Sequence, residues 1–141
     1  LEIGTGSGYQ TSILSLLSRR VYSIERIKPL LVNAQSCFKK LKLTNIISES
    51  GDGFLGWPKL APFDHMIITC AVKKIDDRLL NQIRVNGSCV VPIGKTKNQQ
   101  RLIKITIGND RHDDVWEDLG KVSFVPLISE KDWIIFNVWE Y

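Results

Sequence analysis

Cysteine, histidine and methionine are scarce in this chain, whose 141 residues include three cysteines, two histidines and one methionine. Cys37, Cys70 and Cys89 are odd in number, far apart and embedded in apolar sequence. Such spacing argues against a disulfide framework and against a zinc knuckle, because both need paired cysteines. We therefore expect a protein of the reducing cytoplasm. We expect no metal site either, and we interpret His112 with its aspartate neighbours as a hydrated hairpin tip.

Long apolar runs and dense runs of one charge are also missing. No segment approaches the roughly 20 apolar residues of a membrane-spanning helix, and the first residues do not resemble an export signal. The net charge is +4, and the basic residues are scattered apart from short pairs such as Arg19-Arg20. We expect neither a membrane nor a nucleic acid as a partner, and we expect a monomer. With 43% hydrophobic and 24% charged residues, the composition is typical of one globular domain over residues 1–141.

Glycines, by contrast, are concentrated at the start of the chain, in the motif EIGTGSGYQ at residues 2–10. A short apolar segment runs into Gly4, Gly6 and Gly8, and an amphipathic stretch follows at once. This order predicts a strand, a glycine turn and a helix. The missing Cβ atoms let a ligand approach the main chain, and the helix start offers free N–H groups, so we expect a nucleotide-like cofactor. The spacing G-x-G-x-G differs from the dinucleotide fingerprint G-x-G-x-x-G. A nicotinamide-dependent oxidoreductase is therefore disfavoured, although it stays an alternative function.

Acidic residues follow the next two predicted strands. The segment VYSIE ends in Glu25, where a carboxylate can accept hydrogen bonds from two vicinal ribose hydroxyls. The segment NIISES runs into Gly51-Asp52-Gly53, where the acid can accept from an exocyclic amine such as that of adenine. The carboxyl ends of parallel strands meet at one edge of a sheet, so we expect these residues to line one rim. The alternatives are an ion pair of Glu25 with Arg26 or with a lysine, and a role for Asp52 in forming the turn alone.

The rest of the chain predicts a doubly wound α/β domain with a mostly parallel sheet. Further strands are predicted at 21–25, 45–49, 63–70, 88–94, 101–107, 121–128 and 133–140. Helices are predicted at 9–19, from Pro29 to about residue 42, and from Asp76 or Asp77 through Arg84, with Asn86-Gly87 closing the third. The alternating runs after residue 94 predict antiparallel strands that complete the sheet.

Six motifs together resemble those of the protein-L-isoaspartate O-methyltransferase family. They are EIGTGSGYQ, VYSIERI at 21–27, GDG at 51–53 followed by GWP at 56–58, APFD at 61–64, VPIG at 91–94 and FVPL at 124–127. Their order and separations extend over nearly the whole chain, which a generic similarity of fold does not explain. The resemblance implies the Rossmann-like fold of the class I S-adenosylmethionine-dependent methyltransferases. It also implies methyl transfer from S-adenosylmethionine to the free α-carboxylate of isoaspartyl residues in damaged proteins and peptides, which starts their repair.

The resemblance also implies which residues form the site. The cofactor-binding residues would be Glu2, Gly4, Thr5, Gly6, Ser7, Gly8, Glu25, Arg26, Asp52, Gly53 and Gln100. The substrate-binding residues would be Thr69, Cys70, Ala71 and Val125. Cys70 stands where the family more often has alanine, and we interpret it as a buried small side chain rather than a nucleophile.

The start of the chain departs from the family. Only three residues precede Gly4, whereas the family carries a substantial segment before this point, which includes the serine usually credited with catalysis. We therefore expect a chain that lacks the family's N-terminal segment, and we assign no catalytic residue. The alternative to an active enzyme is a catalytically inactive fragment of that family which binds S-adenosylmethionine.

Overall fold

The computed structural model of the chain describes residues 1–128, apart from the side chain of Lys97. Strands and helices alternate along its first two thirds. The strands are β1 (Glu2–Ile3), β2 (Val21–Glu25), β3 (Ile46–Ser50), β4 (Phe63–Ile68), β5 (Ile83–Ile93), β6 (Arg101–Thr106) and β7 (Val115–Lys121). The α-helices are α1 (Tyr9–Leu17), α2 (Lys28–Lys40) and α3 (Asp77–Leu80).

The described strands form one sheet in the order β3-β2-β1-β4-β5-β6-β7. Strands β1 to β5 pair in parallel, whereas β6 and β7 pair antiparallel. This confirms the predicted doubly wound, mostly parallel sheet with antiparallel C-terminal strands. The strand order reverses between β1 and β4, and in open α/β sheets ligands bind at the carboxyl ends of the strands beside such a reversal.

The sheet supplies most of the core. Ile3, Ile68, Cys89, Val91 and Ile105 come from four strands, and each of these side chains is at most 1% exposed. Helix α2 adds three buried residues at helical spacing, Leu31, Ala34 and Phe38, as its apolar pattern predicted. Close packing on these residues holds β1, β2 and β4 in place, so the loops that follow them are positioned by the core.

Helix α1 is oriented by polar contacts rather than by the apolar residues that suggested it. Leu16 and Leu17 are 73% and 78% exposed, whereas Thr11 and Ser15 are buried. The Thr11 hydroxyl donates to the Glu2 carboxylate at 2.5 Å, and the Ser15 carbonyl accepts from the Asn45 side chain at 2.7 Å. The prediction of a helix was correct, and its buried face differs from the expected one.

The region of α3 differs from the prediction. Asp76 caps the helix by accepting from the backbone N–H of Arg78 at 2.8 Å, as expected, but the helix ends at Leu80. Strand β5 begins at Ile83, and Asn86-Gly87 lies inside it, with Asn86 at a φ of +62°. Residues with positive φ occur both after helices and in β-bulges, which is why the sequence signal was misread.

The last strands also differ from the prediction. Strand β7 forms at Val115–Lys121 instead of 121–128. Among residues 1–128 it is the last strand of the sheet and almost every residue in it is exposed, so its sequence shows no apolar alternation. Of the predicted 121–128 strand, Pro126 makes only an isolated bridge to Ala71. The predicted strand at 133–140 lies outside the described residues.

Two further observations apply to residues 1–128. No helix there is both long enough and apolar enough to cross a lipid bilayer. Nor does that part of the chain bring three or more histidine, cysteine, aspartate or glutamate side chains into an arrangement that could hold a metal ion.

Candidate functional site

A cavity of about 480 Å³ lies at the carboxyl ends of β1, β2 and β4, beside the reversal of the strand order. It is lined by Ile3, Gly4, Gly6, Ile24, Glu25, Arg26, Ile27, Leu30, Gly53, Thr69, Cys70 and residues 125–128. A larger groove of about 1000 Å³ lies at the opposite edge, along the amino ends of β2 and β4, and contains none of the predicted site residues. The cavity at the carboxyl ends is therefore the candidate site.

The glycine loop after β1 forms one wall of this cavity. Gly4 has a φ of +96°, and a Cβ there would lie 2.3 Å from the Thr69 Oγ1. That hydroxyl lies 2.6 Å from the Gly4 carbonyl oxygen, to which it donates. Gly6 has a φ of +54°, and a Cβ there would meet nothing within 4 Å, because this residue faces open space. The loop is thus held against β4 at Gly4 and leaves room for a ligand at Gly6.

Glu25 joins the end of β2 to the same loop. Its side chain is buried, with 7% exposure, and its Oε2 accepts from the Gly6 backbone N–H at 2.7 Å. Its Oε1 accepts from the Ile27 backbone N–H at 2.9 Å. A carboxylate has about four lone-pair sites, so each oxygen keeps one acceptor site. Two fixed oxygens with one free site each fit a pair of vicinal hydroxyls.

Asp52 and Gly53 lie at the end of β3. The Asp52 Oδ1 accepts from the Phe54 backbone N–H at 3.0 Å and so caps a short 3₁₀ turn at Gly53–Leu55. Gly53 lines the cavity, and a Cβ there would lie 2.3 Å from the Ile3 Cγ2. The structure therefore places Gly53 at the cavity wall, with the Asp52 carboxylate next to it in the chain.

Glu2 is fully buried beneath the glycine loop. Its Oε2 accepts from the hydroxyls of Thr11 and Ser23, both at 2.5 Å. Since Ser23 donates to Glu2, it accepts from Thr5 Oγ1 at 2.6 Å, which connects the carboxylate to the loop. Burial raises the pKa of Glu2, and the two hydrogen bonds oppose this shift. Its Oε1 has no hydrogen-bond partner among the described residues.

Residues 125–128, which we call the strap, close one side of the cavity. The backbone N–H of Ala71 donates to the Val125 carbonyl, and that of Leu127 donates to the Ala71 carbonyl, both at 2.8 Å. The Arg26 Nη1 donates to the Ile128 carbonyl at 3.2 Å. Arg26 and Ala71 therefore position the strap, and Val125 is 72% exposed at the cavity mouth.

Gln100 lies away from the cavity lining. It is buried, its Oε1 accepts from the Phe124 backbone N–H at 2.6 Å, and its Nε2 donates to the Phe124 carbonyl at 3.0 Å. Both ends of the amide therefore hold the residue that precedes the strap. Ser7 is exposed and outside the lining, where its Oγ accepts from the Tyr9 backbone N–H at 3.4 Å.

Cys70 lines the cavity and is 8% exposed. Burial, with a smaller contribution from the charge of Glu25, raises the pKa of its thiol to about 12. The thiol is therefore protonated at neutral pH, and a protonated thiol is a poor nucleophile. This agrees with its interpretation as a packing residue.

Several apolar residues of the site were not predicted, among them Ile27 and Leu30. Ile27 and Leu30 line the cavity next to Glu25 and are 39% and 38% exposed. Their exposed apolar side chains offer a surface against which an aromatic base can pack. The sequence signal that could have identified Ile27 is its position, since it is an apolar residue two places after the acid that ends β2.

The family model described as protein-L-isoaspartate(D-aspartate) O-methyltransferase matches residues 1–132. Among curated relatives, protein-L-isoaspartate O-methyltransferase 1 of Nitrosococcus oceani is 45% identical over 130 residues, 92% of this chain and 60% of the relative. Protein-L-isoaspartate O-methyltransferase of Aliivibrio salmonicida is 47% identical over 129 residues, which are 92% of this chain and 60% of that relative. The chain thus spans about 60% of the length of these relatives.

Solved structures show the same fold. A protein-L-isoaspartate O-methyltransferase matches with a TM-score of 0.80 at 25% identity, over 89% of this chain and 40% of the other. A putative enzyme of that name from Plasmodium falciparum was solved in complex with S-adenosyl-L-homocysteine. It matches with a TM-score of 0.72 at 23% identity, over 90% of this chain and 64% of the other. The predicted class I methyltransferase fold is therefore confirmed.

Proposed function

This chain belongs to the protein-L-isoaspartate(D-aspartate) O-methyltransferase family, and from that membership we propose that it methylates isoaspartyl residues. The methyl donor is S-adenosylmethionine, and the acceptor is the free α-carboxylate that isoaspartate exposes in damaged proteins and peptides. The resulting ester collapses to a succinimide, which reopens in part as normal aspartate. The proposal covers the chain as one domain over residues 1–141, acting in the cytoplasm, where its cysteines stay reduced.

One observation carries the assignment of the donor. Gly6 and Glu25 come from different strand ends, 19 residues apart, and meet in a hydrogen bond of 2.7 Å at the wall of one cavity. Gly53, from a third strand end, lines the same cavity. The residues fit an adenosyl group, because Gly6 leaves open space, Glu25 keeps two acceptor sites, and Ile27 and Leu30 provide an apolar surface.

The chain's own residues would bind and orient rather than transfer protons. When bound, S-adenosylmethionine supplies a methyl group that its sulfonium already activates, and an α-carboxylate is ionised at neutral pH, so no strong base is required. Glu25 would accept from the ribose hydroxyls, and the glycine loop would hold the methionine portion. Asp52 would accept from the adenine amine. Orientation of this kind can remove several kcal/mol from a barrier.

The substrate would lie across the open side of the cavity. Thr69, Cys70 and Ala71 follow β4 directly, and Ala71 pairs with the strap that carries Val125. The strap covers part of the cavity and would limit access of water to the reacting carboxylate, which favours transfer. We therefore assign Thr69, Cys70, Ala71 and Val125 to substrate binding.

The test is methyl transfer from labelled S-adenosylmethionine to a synthetic isoaspartyl peptide. The matched control is the same peptide with normal aspartate, which has no free α-carboxylate at that position. We expect a base-labile methyl ester on the isoaspartyl peptide alone. Binding of S-adenosylhomocysteine without any transfer would instead support an inactive fragment of the family, and equal labelling of both peptides would contradict the proposed substrate.

A further inference from the structure

We infer that Asn86 is a site of spontaneous deamidation, which converts asparagine to a mixture of aspartyl and isoaspartyl residues. Asn86-Gly87 is the one place in the sequence where glycine follows asparagine. In this reaction the backbone nitrogen of Gly87 bonds to the Asn86 Cγ, the bond from Cγ to the side-chain nitrogen breaks, and ammonia leaves with the backbone proton. Water then opens the succinimide ring at either of its two carbonyls. Glycine favours the step because it has no Cβ to obstruct ring closure.

The structure leaves the Asn86 side chain available for this reaction. Asn86 is exposed, and its amide makes no hydrogen bond to any residue within 1–128. It lies in a bulge of β5. Phe63 of β4 pairs with Ile83 and His65 pairs with Ser88, so two residue steps along β4 correspond to five along β5. The pair is thus outside the regular ladder with β4, although β5 continues on both sides of it.

The structure also explains why this reactive pair cannot easily be replaced. A Cβ at position 87 would lie 2.4 Å from the Asp64 carbonyl oxygen and 2.8 Å from that of Arg84, so only glycine fits. Asn86 has a φ of +62°, a conformation that asparagine and glycine tolerate better than other residues. The bulge therefore restricts position 87 to glycine and favours asparagine or glycine at position 86.

Two backbone hydrogen bonds oppose the reaction in the folded chain. Asn86 N–H donates to the Ile107 carbonyl at 2.8 Å, and Ile107 N–H donates to the Gly87 carbonyl at 2.9 Å. Ring closure needs a rotation about the Asn86-Gly87 link that this pairing restricts, so deamidation requires local opening of β5 from β6. We expect the rate at Asn86 to be roughly 10- to 100-fold lower in the folded chain than in the unfolded chain.

The product connects this site with the proposed function, on which the following consequence rests. An isoaspartyl residue at position 86 adds one carbon to the main chain, so the two hydrogen bonds to Ile107 could not both reform. It also exposes a free α-carboxylate, which is the proposed substrate group. Aged copies of this chain would then be substrates for the family's reaction.

The experiment follows the full chain during incubation at mildly alkaline pH without a methyl donor. Peptide mapping by mass spectrometry gives the conversion at each asparagine over time, in buffer and in urea. Isoaspartate is counted with the full-length Nitrosococcus oceani relative and labelled S-adenosylmethionine, so the count does not depend on the activity of this chain. We expect Asn86 to convert fastest among the asparagines in both conditions, with isoaspartate as a product, and urea to accelerate it.

Asn109 is the internal reference, because it is also exposed but precedes an aspartate. Conversion at Asn86 no faster than at Asn109 overturns the inference, and this comparison needs no variant. The Asn86→Gly variant keeps the positive φ and removes the side-chain amide. Its isoaspartate count should therefore fall to the level produced by the remaining asparagines and aspartates. An undiminished isoaspartate count in that variant also overturns it. If the chain fails to methylate a synthetic peptide while Asn86 still deamidates, the proposed function fails and the modification site stands.

Discussion

Replacement of Glu25 by glutamine is the substitution that tests the proposed site most sharply. Glutamine keeps the shape of the side chain but has one acceptor oxygen, and its NH₂ group cannot accept from a backbone N–H. The two Glu25 oxygens accept from the N–H groups of Gly6 and Ile27 at 2.7 and 2.9 Å. Whichever way the glutamine amide turns, one of these bonds is lost, and neither ribose hydroxyl keeps a charged acceptor, since one would face a neutral oxygen and the other an NH₂ donor.

The magnitude follows from the hydrogen bonds involved. A hydrogen bond to a charged group contributes about 1.5–3 kcal/mol, and this range weakens binding by roughly 10- to 150-fold. We expect that increase in the Kd for S-adenosylhomocysteine. The free energy of unfolding should fall by only about 1 kcal/mol, since Gly6 is half-buried and water can reach its N–H.

Isothermal titration calorimetry with S-adenosylhomocysteine measures this effect without any need for turnover. The matched control is Glu49→Gln, which makes the same change of charge on an exposed residue of β3. Its Kd should equal that of the unchanged chain. A Kd for Glu25→Gln within error of the Glu49→Gln value would refute the reasoning and remove Glu25 from the site.

Three further predictions concern stability and reactivity. Gly4→Ala should lower the free energy of unfolding by about 2–4 kcal/mol in a urea titration, because the new Cβ combines a positive φ with a clash at Thr69. The control is Gly120→Ala, whose added Cβ meets nothing within 4 Å. A loss for Gly4→Ala no larger than that of the control would be inconsistent with this. Gln100→Ala should lower the free energy of unfolding by about 1–3 kcal/mol in the same titration, since two part-buried hydrogen bonds to Phe124 disappear. An unchanged midpoint would speak against the role of Gln100 in holding Phe124. Burial raises the pKa of Cys70 to about 12 from an ordinary value near 9, so the thiol loses its proton at lower pH in the unfolded chain than in the folded one. The free energy of unfolding should therefore fall as pH rises from about 9 to 12, and it should fall less steeply in Cys70→Ala. Equal slopes for the two chains would contradict the raised pKa.

The sequence was sufficient for the features that depend on local patterns. The meeting of the glycine loop with Glu25 at one cavity was predicted because a short motif places small and acidic residues at strand ends, and parallel strands bring those ends together. The chain order of strands and helices likewise predicted the parallel part of the sheet. Both inferences use spacing along the chain, which a single sequence shows directly.

Features that depend on pairing between strands were not predictable in this way. The contact between Glu2 and Ser23 arises from the register of β1 on β2, which places these two residues side by side. Gln100 was expected near the cofactor, but its buried amide binds Phe124, 24 residues along the chain. Asn86 was interpreted as a helix end because a positive φ serves helix caps and bulges equally. In each case the deciding partner is distant in sequence.

The central claim is that the ends of β1, β2 and β3 together bind an adenosyl methyl donor. The most direct measurement is the change in backbone amide NMR shifts during titration of the ¹⁵N-labelled chain with S-adenosylhomocysteine. We predict that the amides of Gly6, Ile27 and Gly53, which follow β1, β2 and β3, shift together and saturate at one concentration, while that of Gly120 in β7 does not move. Saturable shifts confined to other parts of the chain, or no shifts at these three residues at saturating ligand, would contradict the account.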